Sequence, residues 1–273
     1  MSNLTLRIIS AALLGSVALA ALYFGGWFWL TLIAAAAIGM SFEWATLVQL
    51  PQKTILSTVT AIAVLSALAD ARFYGIERPS ITLLTLAIVL VFLGLVTGHS
   101  AVKRFGFGLA YIGVPVLALY WIRNLPDPMG YITTLWLLLT IWATDSFAYF
   151  VGRAVGGPKF LPTISPKKTW SGALGGLLGG AVVAITMHNI FALSGSLTGL
   201  IISSVAVSML SQFGDALESA VKRDFNVKDS GQLIPGHGGL FDRLDGLLVT
   251  APVVAAAMII QEGGAIALIG DRL

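Results

Sequence analysis

Residues 131–150 read YITTLWLLLTIWATDSFAYF, and this stretch decides the fold class. It is predominantly apolar, does not alternate between apolar and polar residues, and carries a single charged residue, Asp145. A helix needs about 20 such residues to cross the hydrocarbon core of a bilayer, whereas the strands of a membrane barrel alternate. The stretch therefore predicts a transmembrane helix.

Eight further stretches have the same character, so the sequence predicts an all-α polytopic membrane protein with about nine transmembrane helices. The first run, with Ala18-Leu19-Ala20 near its end, also resembles a signal peptide. Because a second apolar run follows at once, we interpret the first as a retained helix. The predicted spans are 7–24, 27–48, 55–71, 80–97, 107–124, 131–150, 172–192, 198–215 and 246–262.

Composition narrows the class further. Hydrophobic residues make up 57% of the chain and charged residues 11%, against about 25% charged in soluble domains. This balance excludes a disordered chain and argues against an ordinary soluble enzyme and against a nucleic-acid partner. The absence of cysteine excludes disulfides, thiolate metal sites and thiol nucleophiles.

Lysine and arginine are distributed unevenly between the two sides. With the N-terminus in the cytoplasm, 12 of the 16 fall on the inner side, as the positive-inside rule requires. We therefore expect a cytoplasmic N-terminus, with both long polar segments, 152–171 and 216–245, facing the cytoplasm. Glycines 172, 176 and 180 form a smooth helix face for packing inside the subunit or in a dimer.

Charge is concentrated between residues 215 and 245, which hold ten of the 29 charged residues. Asp215 lies at the membrane boundary, where carboxylates are usually paired or bind an ion. If the helix continues past Asp215, then Ser219, Lys222 and Arg223 share its face at spacings of three and four. Such a face suits a metal–phosphate complex or a simple ion-pair network.

A glycine-rich turn precedes the last span. Gly238 and Gly239 break the helix and let the backbone approach a phosphate closely. Asp242 and Asp245 follow, either as favourable charges at a helix start or as metal ligands. His237 is either structural or functional.

The segment around residues 145–171 holds a second candidate group. Asp145 is a functional candidate because it lies inside an apolar span. Lys167 and Lys168 are either topology determinants or, beside the hydroxyls of Ser165 and Thr169, a polyphosphate site. No Walker A sequence, Gly-x-Ser-x-Gly elbow or His-Glu-x-x-His motif occurs in the chain.

The stretch from Ser219 to Asp245 resembles the signature of the phosphatidate cytidylyltransferase (CDP-diacylglycerol synthase) family. Residues 145–153 and 165–170 also resemble family motifs, but Ser171 stands where the family usually has Glu. The residues that carry the main resemblance are Ser219, Val221, Lys222, Arg223, Lys228, Asp229, Gly231, Ile234, Pro235, His237, Gly238, Gly239, Leu240, Asp242, Arg243, Leu244 and Asp245.

The resemblance implies that CTP and phosphatidic acid give CDP-diacylglycerol and pyrophosphate with Mg²⁺, and it leaves a second cation open. It also implies a homodimer in the lipid bilayer. The expected catalytic residues are Asp215, Lys222, Arg223, Lys228, Asp229, His237, Asp242, Arg243 and Asp245. The expected substrate-binding residues are Ser165, Lys167, Lys168, Thr169, Ser219, Gly238 and Gly239. The expected metal ligands are Asp215, Asp242 and Asp145.

We accordingly expect residues 1–130 to form about five scaffold helices that face lipid or a dimer partner. Residues 131–273 would form the catalytic membrane domain, with about four helices. Two alternatives remain: a related CTP-dependent enzyme acting on another lipid phosphate or a polyprenol, and a transporter whose aspartates line an ion path. Clustered charge and missing repeat symmetry argue against the transporter.

Overall fold

The computed structural model describes residues 3–75, 77–193, 195–231, 233 and 238–262. Within these ranges the chain forms nine α-helices and one short β-hairpin, which confirms the predicted all-α architecture. The helices are α1 (Asn3–Phe24), α2 (Gly26–Leu47), α3 (Lys53–Tyr74), α4 (Glu77–Val96), α5 (Ser100–Arg123), α6 (Met129–Val155), α7 (Trp170–Ile190), α8 (Leu197–Asp224) and α9 (Phe241–Glu262). The strands are β1 (Lys159–Leu161) and β2 (Ser165–Thr169).

Every predicted span falls on one of these helices. Among the described residues, seven helices are long and apolar enough to cross a membrane: α2, α3 and α5–α9. In α1 and α4 the apolar stretches within the described part are shorter, Ile9–Phe24 and Leu86–Val96. The chain is thus a multi-pass membrane protein with seven clear candidate spans.

Several helices extend beyond the apolar stretches that predict them. α8 continues to Asp224, although its predicted span ends at residue 215. Residues 216–224 read ALESAVKRD, which is rich in strong helix formers, so the change to polar composition ends the apolar run without ending the helix. α5 likewise begins seven residues before its predicted span, at Ser100.

The polar segment 152–171 is not wholly irregular. β1 and β2 pair antiparallel, with Lys159 opposite Thr169 and Leu161 opposite Ser165. Phe160 packs edge-on against Trp170, with ring centroids 4.6 Å apart. The hairpin therefore gives the paired lysines at 167 and 168 a defined place on β2.

The chain divides into two compact units. The first comprises Met1–Asn124 and Lys222–Leu244, and the second Leu125–Val221 and Asp245–Leu273. Residues 222–244 thus group with the first five helices, and α8 and α9 contribute to both units. The prediction that residues 1–130 are scaffold and 131–273 catalytic stays a prediction.

The core of the first unit includes a cluster of aromatic side chains near the start of α9. Phe241 is fully buried and stacks on Tyr111, with ring centroids 5.8 Å apart. Trp44 lies 5.9 Å from the Phe241 ring and 5.6 Å from that of Phe107. These contacts fix the first residue of α9 between α2 and α5.

In the second unit, the glycines of α7 allow close packing against α6 and α8. A Cβ at Gly179 would lie 2.7 Å from the carbonyl oxygen of Ala143 on α6, and one at Gly180 would lie 2.9 Å from that of Ser204 on α8. The glycine face is therefore used for packing inside the unit.

Candidate active site

Asp215 occupies the second unit and lies on α8, about a third exposed. The ammonium of Lys168, on β2, forms an ion pair with its Oδ2. Ser219, one turn further along α8, donates a hydrogen bond of 3.3 Å to its Oδ1. The structure therefore brings together one expected metal ligand and two expected substrate-binding residues, with the carboxylate still open to solvent.

More acidic side chains gather in the same unit. Asp145, Asp215 and Glu218 lie near enough to Asp245 to act on its carboxyl group electrostatically. Gly246 N donates a hydrogen bond of 2.7 Å to Asp245 Oδ1. Like charges held together disfavour ionisation unless a cation balances them. Nevertheless, the described residues contain no group of three or more Asp, Glu, His or Cys side chains that could hold a metal ion by themselves.

Lys222 and Asp242 form an ion pair within the first unit. Lys222 Nζ donates to Asp242 Oδ1 at 2.6 Å, and both side chains are almost fully buried. Asp242 Oδ2 accepts hydrogen bonds from Ser230 N at 3.0 Å, Ser230 Oγ at 3.1 Å and Gly239 N at 2.8 Å. Both Asp242 oxygens therefore bind protein donors, and metal ligation by this residue stays a prediction.

The two glycines before α9 have a structural role that the sequence did not reveal. Gly238 has a φ of +82°, a conformation that L side chains rarely adopt, and a Cβ there would lie 2.8 Å from Asp242 Oδ2. A Cβ on Gly239 would overlap Ser230 Oγ. Both glycines let the turn close around carboxylates of the protein, and a contact with CTP stays a prediction.

The hairpin residues have different surroundings. Thr169 is buried and caps α7, because its Oγ1 accepts a hydrogen bond of 3.2 Å from Gly172 N. Ser171, which stands where the family usually has Glu, donates a hydrogen bond to the carbonyl oxygen of Gly156. Lys167 is exposed and Ser165 is half-buried. Thr169 and Ser171 thus stabilise the start of α7.

The other expected catalytic residues of the polar segment face solvent. Arg223 is exposed and donates a hydrogen bond of 2.8 Å to the carbonyl oxygen of Val227. The exposed residues of this group are Arg223, Lys228, Asp229 and Arg243. His237 lies outside the described residues.

Two carboxylates were not predicted as site residues. Glu218 lies one turn after Asp215 and is 2% exposed, and Glu43 lies on α2 and is 7% exposed. Glu43 could have been found, because it is an acidic residue inside an apolar span, as Asp145 is. Glu218 gave a weaker signal, since its segment is densely charged.

Comparison with known proteins identifies the family of the chain. Residues 5–261 match the Cytidylyltransferase family. The chain is 36% identical to the phosphatidate cytidylyltransferase of Brucella abortus biovar 1 (strain 9-941), over 97% of this chain and 95% of the relative. It is 38% identical to the protein of that name in Bacillus subtilis (strain 168), over 65% and 67%. With the Haemophilus influenzae protein of that name it shares 47% identity over 46% of each chain. The chain therefore belongs to the cytidylyltransferase family.

Proposed function

We propose that this chain transfers the cytidylyl group of CTP to phosphatidic acid, giving CDP-diacylglycerol and pyrophosphate for phospholipid biosynthesis. The observation that carries the proposal is the match to a phosphatidate cytidylyltransferase over 97% of the chain. The carboxylates and lysines of α8, α9 and the hairpin are consistent with it, because they suit polyphosphate chemistry beside a membrane.

The reaction needs little covalent help from the protein. An oxygen of the phosphatidate phosphate attacks the α-phosphorus of CTP and forms a new P–O–P bond. The bond between the α-phosphorus and the oxygen that bridges to the β-phosphorus breaks, and pyrophosphate leaves with that oxygen. Because the attacking phosphate is largely ionised at neutral pH, no strong general base is required, and catalysis depends on positioning and charge neutralisation.

The residues of the second unit fit Mg²⁺ that arrives with CTP. Mg²⁺ prefers one or two carboxylates and completes its shell with phosphate oxygens and water, so three converging protein ligands are not needed. Asp215, which already attracts the ammonium of Lys168, would be the main ligand, with Asp145 as a weaker one. When bound, the ion would neutralise the triphosphate and polarise its phosphoryl oxygens. For Asp242 the same role requires Lys222 to leave Oδ1.

The cations would share the remaining negative charge. Lys168 can exchange Asp215 for a phosphate, and exposed Lys167 can bind beside it. Exposed Arg223 and Lys228 would neutralise pyrophosphate or the phosphatidate head group. We also propose a cytoplasmic N-terminus, an active site that faces the cytoplasm, and a homodimer in the bilayer.

A panel of lipids incubated with cytidine-labelled CTP and the purified chain tests the proposal. Phosphatidic acid should yield a lipid that carries cytidine, whereas diacylglycerol and polyprenol should not. A polyprenol phosphate without cytidine as the product would identify a kinase and overturn the proposal. Solute flux into vesicles without CTP, and without any cytidine-labelled product, would identify a transporter and overturn it equally.

A further inference from the structure

Glu43 is a carboxylate in an unusual place. It lies on α2, whose 22 residues contain no other charged side chain, and it is 7% exposed. No other acidic residue occurs among the first 69 residues. Burying an ionised carboxylate in such a helix is costly unless donors satisfy its oxygens. Glu43 therefore needs hydrogen-bond donors from elsewhere in the chain.

Glu43 binds a segment that lies almost 200 residues away in sequence. Leu240 N donates to both carboxylate oxygens, at 2.8 Å to Oε1 and 2.7 Å to Oε2. Phe241 N donates to Oε2 at 3.0 Å, and Ser230 Oγ donates to Oε2 at 3.3 Å. Two backbone amides thus satisfy the buried charge, and the single hydroxyl proton of Ser230 can point to Glu43 or to Asp242.

These contacts make Glu43 a helix cap supplied by another helix. The first N–H groups of α9 have no carbonyl partner inside the helix, and a local Ser, Thr, Asp or Asn usually accepts from one of them. The residue before α9 is Leu240, whose side chain cannot accept a hydrogen bond. Glu43 provides the acceptor instead, and its negative charge is favourable at the positive end of the helix dipole.

Two glycines leave room for this contact. A Cβ on Gly231 would lie 2.6 Å from Glu43 Oε1, and one on Gly239 would lie 2.7 Å from Glu43 Oε2. Any larger residue at either position would push the turn away from Glu43. The glycines therefore fit the carboxylate on α2 as well as the turn itself.

The same turn also binds Asp242 on its other side. Ser230 Oγ contacts both carboxylates, at 3.3 Å for Glu43 and 3.1 Å for Asp242. Gly239 N donates to Asp242 at 2.8 Å, while the next two amides donate to Glu43. Asp242 in turn holds Lys222. The segment is fixed between two carboxylates, one of which orients a lysine expected in the active site.

We propose that Glu43 is a positioning residue, which holds the turn at residues 239–241 so that Asp242 meets Lys222. Its hydrogen-bond partners are Ser230 and the backbone of the turn, so it acts through the turn. The consequence for turnover rests on the proposed function, but the hold on the turn does not. A loss of Glu43 should therefore disturb this turn and the catalytic rate in parallel.

The test compares E43Q with the wild type and with S41A in the purified full-length chain. Gln keeps the shape but replaces one acceptor oxygen with an NH₂ donor, which opposes the amides of Leu240 and Phe241. Ser41 is a matched control on α2, because it is equally buried and its hydroxyl bonds only within the helix, to Ala37 O. Two quantities are measured: hydrogen exchange at residues 239–241, and kcat and KM for CTP and phosphatidic acid.

In E43Q we expect faster exchange at residues 239–241 and a kcat lower by about ten- to a hundredfold, because a small misplacement of a catalytic group is costly. KM should change little, and S41A should match the wild type in both assays. E43D, which keeps the charge on a shorter chain, should recover part of kcat. If E43Q does not fold, E43D is measured in its place in both assays.

Unchanged exchange at residues 239–241, or a wild-type kcat of the folded variant, would overturn the role of Glu43. Equal effects of S41A and E43Q would do the same, since they would reflect general destabilisation of α2. If the wild-type chain does not transfer the cytidylyl group, the proposed function is overturned instead. In that case the exchange at residues 239–241 still decides whether Glu43 holds the turn.

Discussion

Lys222 Nζ lies 2.6 Å from Asp242 Oδ1, and the side chains are 10% and 9% exposed. This ion pair joins the last turn of α8 to the first turn of α9, inside the first unit. The second oxygen of Asp242 accepts hydrogen bonds from Ser230 and Gly239, so the carboxylate connects a lysine to the glycine turn. Charges this deeply buried depend on each other, because removing one leaves the other without compensation.

The first prediction concerns the stability of this pair. D242N and K222M should each destabilise the protein by about 3 kcal/mol, because each leaves an uncompensated buried group. The double variant should lose less stability than the two singles together. Unfolding of the purified protein in detergent measures all three. D224N, a change at an exposed residue at the end of α8, should leave stability near that of the wild type. If the stability losses of D242N and K222M add up to that of the double variant, the two residues are not coupled.

The second prediction concerns Asp215. D215N keeps the size of the side chain but removes the charge that attracts Lys168 and the proposed Mg²⁺. We expect turnover to fall by about a hundred- to a thousandfold, as when a preorganised electrostatic contact is lost. Initial rates over a range of Mg²⁺ concentrations measure the effect. D224N, on the same helix, serves as the control. Normal turnover in D215N would remove this residue from the mechanism.

The third prediction separates the roles of Lys168 in binding and in stability. Its ion pair with Asp215 is about a third exposed, so K168M should change stability by less than about 1 kcal/mol. If Lys168 binds a phosphate of CTP as proposed, its loss should nevertheless raise KM for CTP by about tenfold or more. K159M, an exposed lysine change on the other strand of the hairpin, should leave KM unaltered. A large loss of stability with an unchanged KM would assign Lys168 a structural role only.

The sequence predicted the helices well because long apolar stretches have few other solutions in a bilayer. Their ends were less predictable. A polar residue marks where a span leaves the membrane, but a run such as 216–224 continues the helix on propensity alone. The hairpin at residues 159–169 is too short to give a strand pattern, so hydropathy could not show it.

The candidate site was partly predictable for a similar reason. Lone carboxylates in apolar stretches are rare and costly, which made Asp145 and Asp215 candidates from the sequence. The same rule applies to Glu43, which was missed because it lies almost 200 residues before the turn that it contacts. Its partners are backbone amides, and no sequence motif encodes them. Likewise, only packing reveals that Gly239 fits against Ser230 and Glu43 rather than being merely a flexible turn residue.

The position of the label in CTP tests the transfer reaction most directly. The purified chain in vesicles with phosphatidic acid and Mg²⁺ is given CTP labelled on either the α- or the γ-phosphate, and lipid and pyrophosphate are quantified. We expect the α-label in the lipid, the γ-label in pyrophosphate, and one pyrophosphate for each labelled lipid. A lipid that carries the γ-label, or no labelled lipid at all, would contradict cytidylyl transfer to phosphatidic acid by this chain.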